Sequence, residues 1–429
     1  MANTVLSIDS LLKQVYADSG KDLVPATNHI HKNVKFVAKD KQPGNYYNQP
    51  MVMQNEQGFT YNADGSAYTL NSDISAVYAN AQIRGTSITG RSRFSYDMIA
   101  ASGNSKNAFL DLTRPLIKNL LRAASNRQEV MNLHGQVGLG TSSATTGLTP
   151  TTVQLTITVA SWAEAIWASS IGAAVDVYAS LAGASPLNST GAMTVTSYTV
   201  SGTTYNVVLT GAAADVTAID ADEAVEVFYR GAKTGASTYA EALGLFGFSA
   251  ASTLFGLSTT TYPLAKPRTY AAGSAALTFQ KLTKAAEQAM NLGLDGELAL
   301  ICSPATWNDL MTEQQLLVQY PRNGSGPNAF NAGADKLVLT GQFPGQIEIW
   351  NHSFCKRGEA LLVPKADLIR IGSKDVTVGG PEVELLDGQE LLKQVTDAAA
   401  MESRTCQNQA IFHSFPSRIV HITGIVNNT

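Results

Sequence analysis

The chain has 429 residues, a net charge of −4, 15% charged residues and 44% hydrophobic ones. That is long enough for two or three regions with cores of their own, and no apolar run is long enough to span a bilayer. Its three cysteines, Cys302, Cys355 and Cys406, form no C-x-x-C pair, which argues against a disulfide framework or zinc site and fits a reducing cytosol.

Charge is spread unevenly. Residues 1–149 carry 14 Lys/Arg against 10 Asp/Glu, residues 150–233 carry 2 against 7, and the remainder 14 against 17. A basic and an acidic part are therefore expected, without the excess that marks a nucleic-acid-binding domain. The first residues lack the positive start and apolar core of a signal peptide, so secretion is not expected.

In chain order, residues 8–18 suit a short amphipathic helix, and residues 21–41 read as an extended arm studded with Lys32, Lys35, Lys39 and Lys41. From there to Arg84 the chain runs 42 residues without a Lys or Arg. Two prolines and an Asn62–Gly65 turn between alternating stretches make this a protruding hairpin. It is too poor in apolar residues for a private core, so it must pack against something else, most simply a neighbouring copy of the chain.

Residues 85–99 read as a strand ending in a helical turn. The next element is a helix capped by Thr113, with Pro115 in its first turn and Gly135 as its stop. Leu116, Leu120, Ala123, Ala124, Val130 and Leu133 give it an apolar stripe, and Arg114, Lys118 and Arg122 align as a basic ridge. The glycine-rich run Gly135–Gly147 follows this helix and lacks the Lys-Ser/Thr of a phosphate cradle, so it reads as a flexible linker.

Residues 150–233 change to β character: Val153, Leu155, Ile157 and Val159 alternate, and strands are expected at 174–179, 195–200, 206–210 and 224–229. Residues 234–275 read as an extended connector. Thr278 then caps a helix through Leu292 with Leu282, Ala285, Ala286 and Ala289 inward and Gly293 as its stop. ELALICS is a strand, Ser303-Pro304 opens a helix, and a polar loop at 321–335 precedes strands in QIEIWN, EALLVP, LIRIG and the strand-rich end.

Catalytic signals are weak. His29 and His31 form an H-x-H without an acidic or Cys partner nearby in sequence, and Cys355 near His352 suggests a nucleophile pair only until strand alternation sends the two to opposite faces. Asp220, Asp222, Glu223 and Glu226 lack the order of a calcium loop and read as a solvated loop. The basic ridge is either a solvated helix face or a face turned to phosphate backbone. No cofactor, metal site or enzymatic activity is expected.

Taken in order, the elements resemble the major capsid protein of tailed double-stranded DNA bacteriophages, the Hong Kong 97-like shell fold. The resemblance rests on TLFGLSTTTYPLAKPRTYAAGSAALTFQKLTKAAEQAM, GLDGELALICSPATWNDL, GQIEIWNHSF with ALLVPKADLIRIG, and the closing KQVTDAAAMESRTCQNQAIFHSFPSRIVHITGI. It implies an α+β fold of seven parts: an N-terminal arm at 1–41, an E-loop hairpin at 42–83, and a P-domain with a spine helix at 84–149. An inserted all-β domain at 150–233 and a connector at 234–270 follow. An A-domain at 271–378 and a return to the P-domain at 379–429 complete it.

By the same resemblance, Tyr46, Tyr47, Phe59, Tyr61, Asp64, Gly65 and Tyr68 would lie between subunits. Arg114, Lys118 and Arg122 would face packaged DNA, and Pro321, Arg322, Asn323 and Phe330 would lie at the capsomer axis. The protein would assemble with itself into hexamers and pentamers of an icosahedral head in the bacterial cytoplasm. A portal and a separate scaffolding protein would be partners, a decoration protein is left open, and no membrane is involved. The hairpin has no Lys for the covalent cross-link that some members form. An encapsulin-like compartment is the alternative within the fold, and a β-rich surface adhesin the alternative outside it.

Overall fold

The computed structural model describes residues 28–38, 46–62, 65, 67–97, 113–294, 296–317, 338–339, 346–378, 393–395 and 398–428. The expected helix at 8–18 and polar loop at 321–335 lie outside them. The described arm root is not all extended. A short helix, α1 (His29–Asn33), precedes strand β1 (Phe36–Ala38), because the buried Glu129 carboxylate accepts the free N–H groups of Ile30 and His31 at 2.7 and 3.2 Å.

A hairpin follows, β2 (Tyr47–Gln54) against β3 (Val77–Ile83), and then β4 (Thr86–Ser95). Helix α2 (Thr113–His134) starts at Thr113 itself, one residue from the expected cap. Its predicted stripe is buried at Val130 and Leu133 but leaves Ala123 exposed. The C-terminal half is buried all round, polar Asn126, Gln128, Glu129 and Asn132 included. Just past the helix end, position 135 must be glycine because a Cβ there would stand 2.1 Å from the Ala242 carbonyl oxygen. The left-handed residue is the next one, Gln136 (φ 65°).

The predicted linker is instead strand β5 (Gly140–Thr149). It joins β6 (Thr152–Ile157), β7 (Ala174–Tyr178), β8 (Met193–Ser201), β9 (Thr204–Thr210) and β10 (Glu226–Tyr229) in a closed barrel of order β10-β5-β6-β9-β8-β7. Glycine and threonine hid the strand. It lacks the apolar alternation of β6, since only its first residues face the core and the rest are exposed. Two short helices, α3 (Glu164–Ser169) and α4 (Ala213–Asp220), close the barrel.

The connector is extended as expected but ends in sheet. After a two-strand loop, β11 (Thr253–Leu254) with β12 (Leu257–Ser258), strand β13 (Arg268–Ala275) pairs in parallel with a strand from the far end of the chain. Helix α5 (Phe279–Met290) is capped by Thr278, whose side chain accepts the Lys281 N–H. Leu282, Ala285, Ala286 and Ala289 are fully buried, the leucine contributing about 1.5–3 kcal/mol by leaving water. Gly293 follows at φ 75°. Then come β14 (Leu298–Cys302), α6 (Pro304–Leu317), β15 (Val338–Leu339), β16 (Ile347–Asn351), β17 (Glu359–Pro364), β18 (Leu368–Val378), β19 (Lys393–Gln394), β20 (Ala400–His413) and β21 (Val420–Ile425).

Two sheets organise the body. One has the order β13-β21-β17-β14-β16-β15 and is covered by α5 and α6. The other centres on β20, with β4 along one edge and β18, β19 on the opposite edge, and β1 beyond β18. Helix α2 crosses this second sheet where Gly90 leaves room for Leu120. The main apolar core is continuous from barrel to body, joining Val153, Trp162 and Val207 with Leu133, Trp350, Phe354 and Leu361.

Candidate assembly surface

Apolar exposure is concentrated in one segment. Among the described residues, half of the 16 large exposed hydrophobic side chains fall between Tyr46 and Tyr78: Tyr46, Val52, Phe59, Tyr61, Tyr68, Leu70, Ile74 and Tyr78. Tyr61 is the extreme, at 93% exposed. Exposed hydrophobic area of this kind on a protruding element marks a contact surface for another macromolecule.

The hairpin is rooted in its own molecule on one face. Ala81 and Ile83 are buried, and Tyr47, Met51, Met53 and Ala79 pack beside them against Leu257, Ile371, Ala410 and Phe412. The Gln82 N–H donates to the Phe255 carbonyl at 2.7 Å. Strand alternation then sends Val52 and Tyr78 to solvent. Past the paired strands the described loop residues bond across to one another. Gln57 N–H donates to the Ile74 carbonyl at 3.1 Å, and Asn71 N–H to Thr60 Oγ1 at 2.8 Å.

The site residues named from sequence thus divide. Tyr46, Phe59, Tyr61 and Tyr68 are exposed on the hairpin, Tyr47 belongs to its rooted face, and Gly65 adopts φ 82° at the tip. Asp64 lies outside the described residues, as do Pro321, Arg322, Asn323 and Phe330. In the basic ridge Lys118 is exposed and Arg122 half-buried; Arg114 is placed on the helix backbone only.

The remaining candidate chemistry becomes structural. His352 sits in a turn after β16, not on a strand, and its Nε2 bonds Glu129 at 2.9 Å. Cys355 is buried there, and desolvation raises its thiol well above the ordinary range, which disfavours the thiolate form. His31 does gain an acid that sequence distance hid, Asp375, 3.7 Å from its Nδ1. The acidic loop is tied down: Asp220 accepts the Gly147 N–H and Glu226 accepts the Thr141 hydroxyl. Among the described residues no three His, Cys, Asp or Glu side chains gather as a metal site.

Two polar clusters escaped the sequence reading. Arg370, buried on β18, donates to the carbonyls of His31 and Val34, to Gln409 and to Asp375, which fastens the arm root to the sheet. Burial raises the Asp375 carboxyl, but hydrogen bonds and charge from Arg370 outweigh it and hold the group below its ordinary range. The second cluster gathers Arg91, Arg93 and Arg404 around Glu402. Its signal was present as R-S-R and E-S-R, alternation that puts each pair on one strand face.

No known family profile matches the chain, and no curated protein matches it in sequence. In three dimensions it is similar to a chain of the cyanophage A-1(L) capsid asymmetric unit. The TM-score is 0.59 at 12% identity over 99% of both chains. It is also similar to a chain from the capsid of a native GTA particle, with a TM-score of 0.51 at 7% identity, covering 99% of this chain and 100% of that one. With these likenesses running over nearly the full length of both chains, this protein has the Hong Kong 97-like shell fold of phage capsid proteins.

Proposed function

We propose that the chain is the structural subunit of a closed protein shell, a major capsid protein of the tailed-phage type, and not an enzyme. The observation that carries this reading is the hairpin: half-rooted in its own molecule, it holds out aromatic side chains that a monomer has no use for. Burying them on a neighbour, once per subunit, sums modest contacts into a stable closed assembly.

Residues 42–83 are the E-loop between subunits, α2 the spine helix, residues 321–331 the capsomer-axis loop, and the barrel an added outer domain. Hexamers and pentamers form an icosahedral head around double-stranded DNA, assembled in the bacterial cytoplasm with a portal and a separate scaffolding protein. Electron microscopy of the purified chain, expressed alone and with a scaffolding protein, tests this. Uniform icosahedral particles are expected, with DNA in those from infected cells; a stable monomer under both conditions overturns the reading. Particles that enclose a protein cargo and no nucleic acid would make it a compartment shell.

A further inference from the structure

Glu402 is buried on β20 with a side chain 4% exposed, yet three half-exposed guanidinium groups surround it. Arg91 Nε lies 3.1 Å and Arg93 Nε 3.8 Å from its Oε2, and Arg404 Nε donates to its Oε1 at 2.6 Å. Across the ladder Arg93 stands opposite Glu402, while Arg91 stands opposite Arg404. Like charges directly opposite in a ladder are destabilising. One carboxylate cannot satisfy three guanidinium forks, each with five donors. Among the described residues the patch therefore keeps an excess of positive charge and spare donors on half-exposed side chains.

Its place in the fold narrows the ligand. Gly90 faces α2, so alternation turns Arg91 and Arg93 to the opposite face of the sheet. A surface that uses the ridge on α2 for nucleic acid cannot present this patch to the same strand. The chain itself holds complementary chemistry. The 42-residue hairpin segment has no Lys or Arg. Glu56 and Asp73, both exposed, line one recess beside Phe59 and Ile74 near its end. Among the described residues neither carboxylate forms an ion pair. The hairpin root meets β20 at Ala410 and Phe412, about 26–34 Å along the strand from Glu402.

We propose that Arg91, Arg93 and Arg404 are the seat for the acidic hairpin end of a second copy of this chain. The proposal rests on the shell reading and specifies its receiving surface. Glu56 and Asp73 accept from the spare guanidinium donors, and Phe59 or Tyr61 lies against a guanidinium plane, which Arg tolerates better than Lys. Donor and seat are different surfaces, so the contact is heterologous and propagates around a ring until it closes.

Charge variants test this in the full chain, with particle formation followed by light scattering and sedimentation. E56Q/D73Q removes exposed charges and leaves the fold intact; R91Q/R93Q leaves Glu402 paired with Arg404. Each pair of substitutions should raise the protein concentration needed for particles about tenfold. The quadruple variant should be no worse than either pair, and wild-type assembly should weaken with salt. E56K/D73K should block assembly, because it sets like charges against the arginine patch. Additive losses in the quadruple variant, or wild-type assembly by E56K/D73K, overturn the proposal. So do R91Q/R93Q particles that form normally but hold less nucleic acid, which would make the patch a phosphate site. If wild-type particles form and depend on Phe59 and Tyr61 but not on these charges, the shell reading survives without this seat.

Discussion

Arg370→Ala should loosen the arm root more than any other single change on that face. Arg370 is 3% exposed. Its loss strands the carbonyls of Val34 and His31, the buried Gln409 amide oxygen and the Asp375 carboxylate. Breaking a buried ion pair from one side costs about 3–5 kcal/mol, and each orphaned buried acceptor about 1–3 kcal/mol before water enters. Asp375 is part-exposed and water reaches it once the side chain is gone, so a total of about 3–4 kcal/mol is expected, up to half the stability of many domains. Urea unfolding of the dissociated subunit measures it, and limited proteolysis within residues 28–38 localises it. Arg370→Lys should recover only part, because an ammonium cannot reproduce the planar fork.

The linked pH dependence has a definite sign. Asp375 titrates below its ordinary value in the folded chain. Its contribution is present above the unfolded carboxyl value, near 4, and is lost as pH falls through the folded one. The gap between wild type and Arg370→Ala should therefore narrow below about pH 4. A loss under about 1 kcal/mol at neutral pH, with protease resistance of the arm root unchanged, would refute the anchoring role.

Gly135→Ala should prevent folding or cost several kcal/mol, since its Cβ meets backbone at 2.1 Å, whereas Gly172→Ala, at φ 80° with open space around it, should cost only about 1 kcal/mol; melting temperatures of the two variants compare them. Burial pushes His134 down to about 3 and His413 to about 4. Both fold neutral, so their contribution is complete above the unfolded value near 6.5 and is lost as pH falls towards those values. Each should remove about 1.6 kcal/mol between pH 6.5 and 5, and His413→Gln should flatten that slope in urea titrations. Lys118→Ala with Arg122→Ala should leave empty particles intact and lower the nucleic acid they retain, read from absorbance ratios of purified particles; unchanged retention would mean that the ridge is a solvated face.

Local rules made much of this architecture legible. The alternation of Val153, Leu155 and Ile157, the Thr278 cap, the Gly293 stop and the inward quartet of α5 each follow from a period or a capping bond a few residues long. The losses share a cause: their partners are far away in the chain. Strand β5 has no apolar alternation, since only its start faces the core and its pairing comes from β6 and β10. Helix α1 exists because Glu129, about a hundred residues on, receives its first N–H groups. The Arg91, Arg93 and Arg404 cluster needs the register that sets β4 beside β20. The hairpin itself was readable, but not its division into a face rooted on Phe412 and Ile371 and a face left over.

The barrel shares its interior with the body, and this limits where foreign sequence can be carried. Gly358 N–H donates to the Ala160 carbonyl at 2.8 Å, Arg357 N–H to the Trp162 carbonyl at 3.2 Å, and Trp162 packs in one core with Trp350 and Phe354. Excising residues 140–229 would strip the lid from those rings and leave a subunit prone to sticking through the wound. The tight bend between β8 and β9, where Gly202 stands in open space at φ 60°, touches none of this. A guest peptide spliced there would ride on the barrel with every seam to the body still closed.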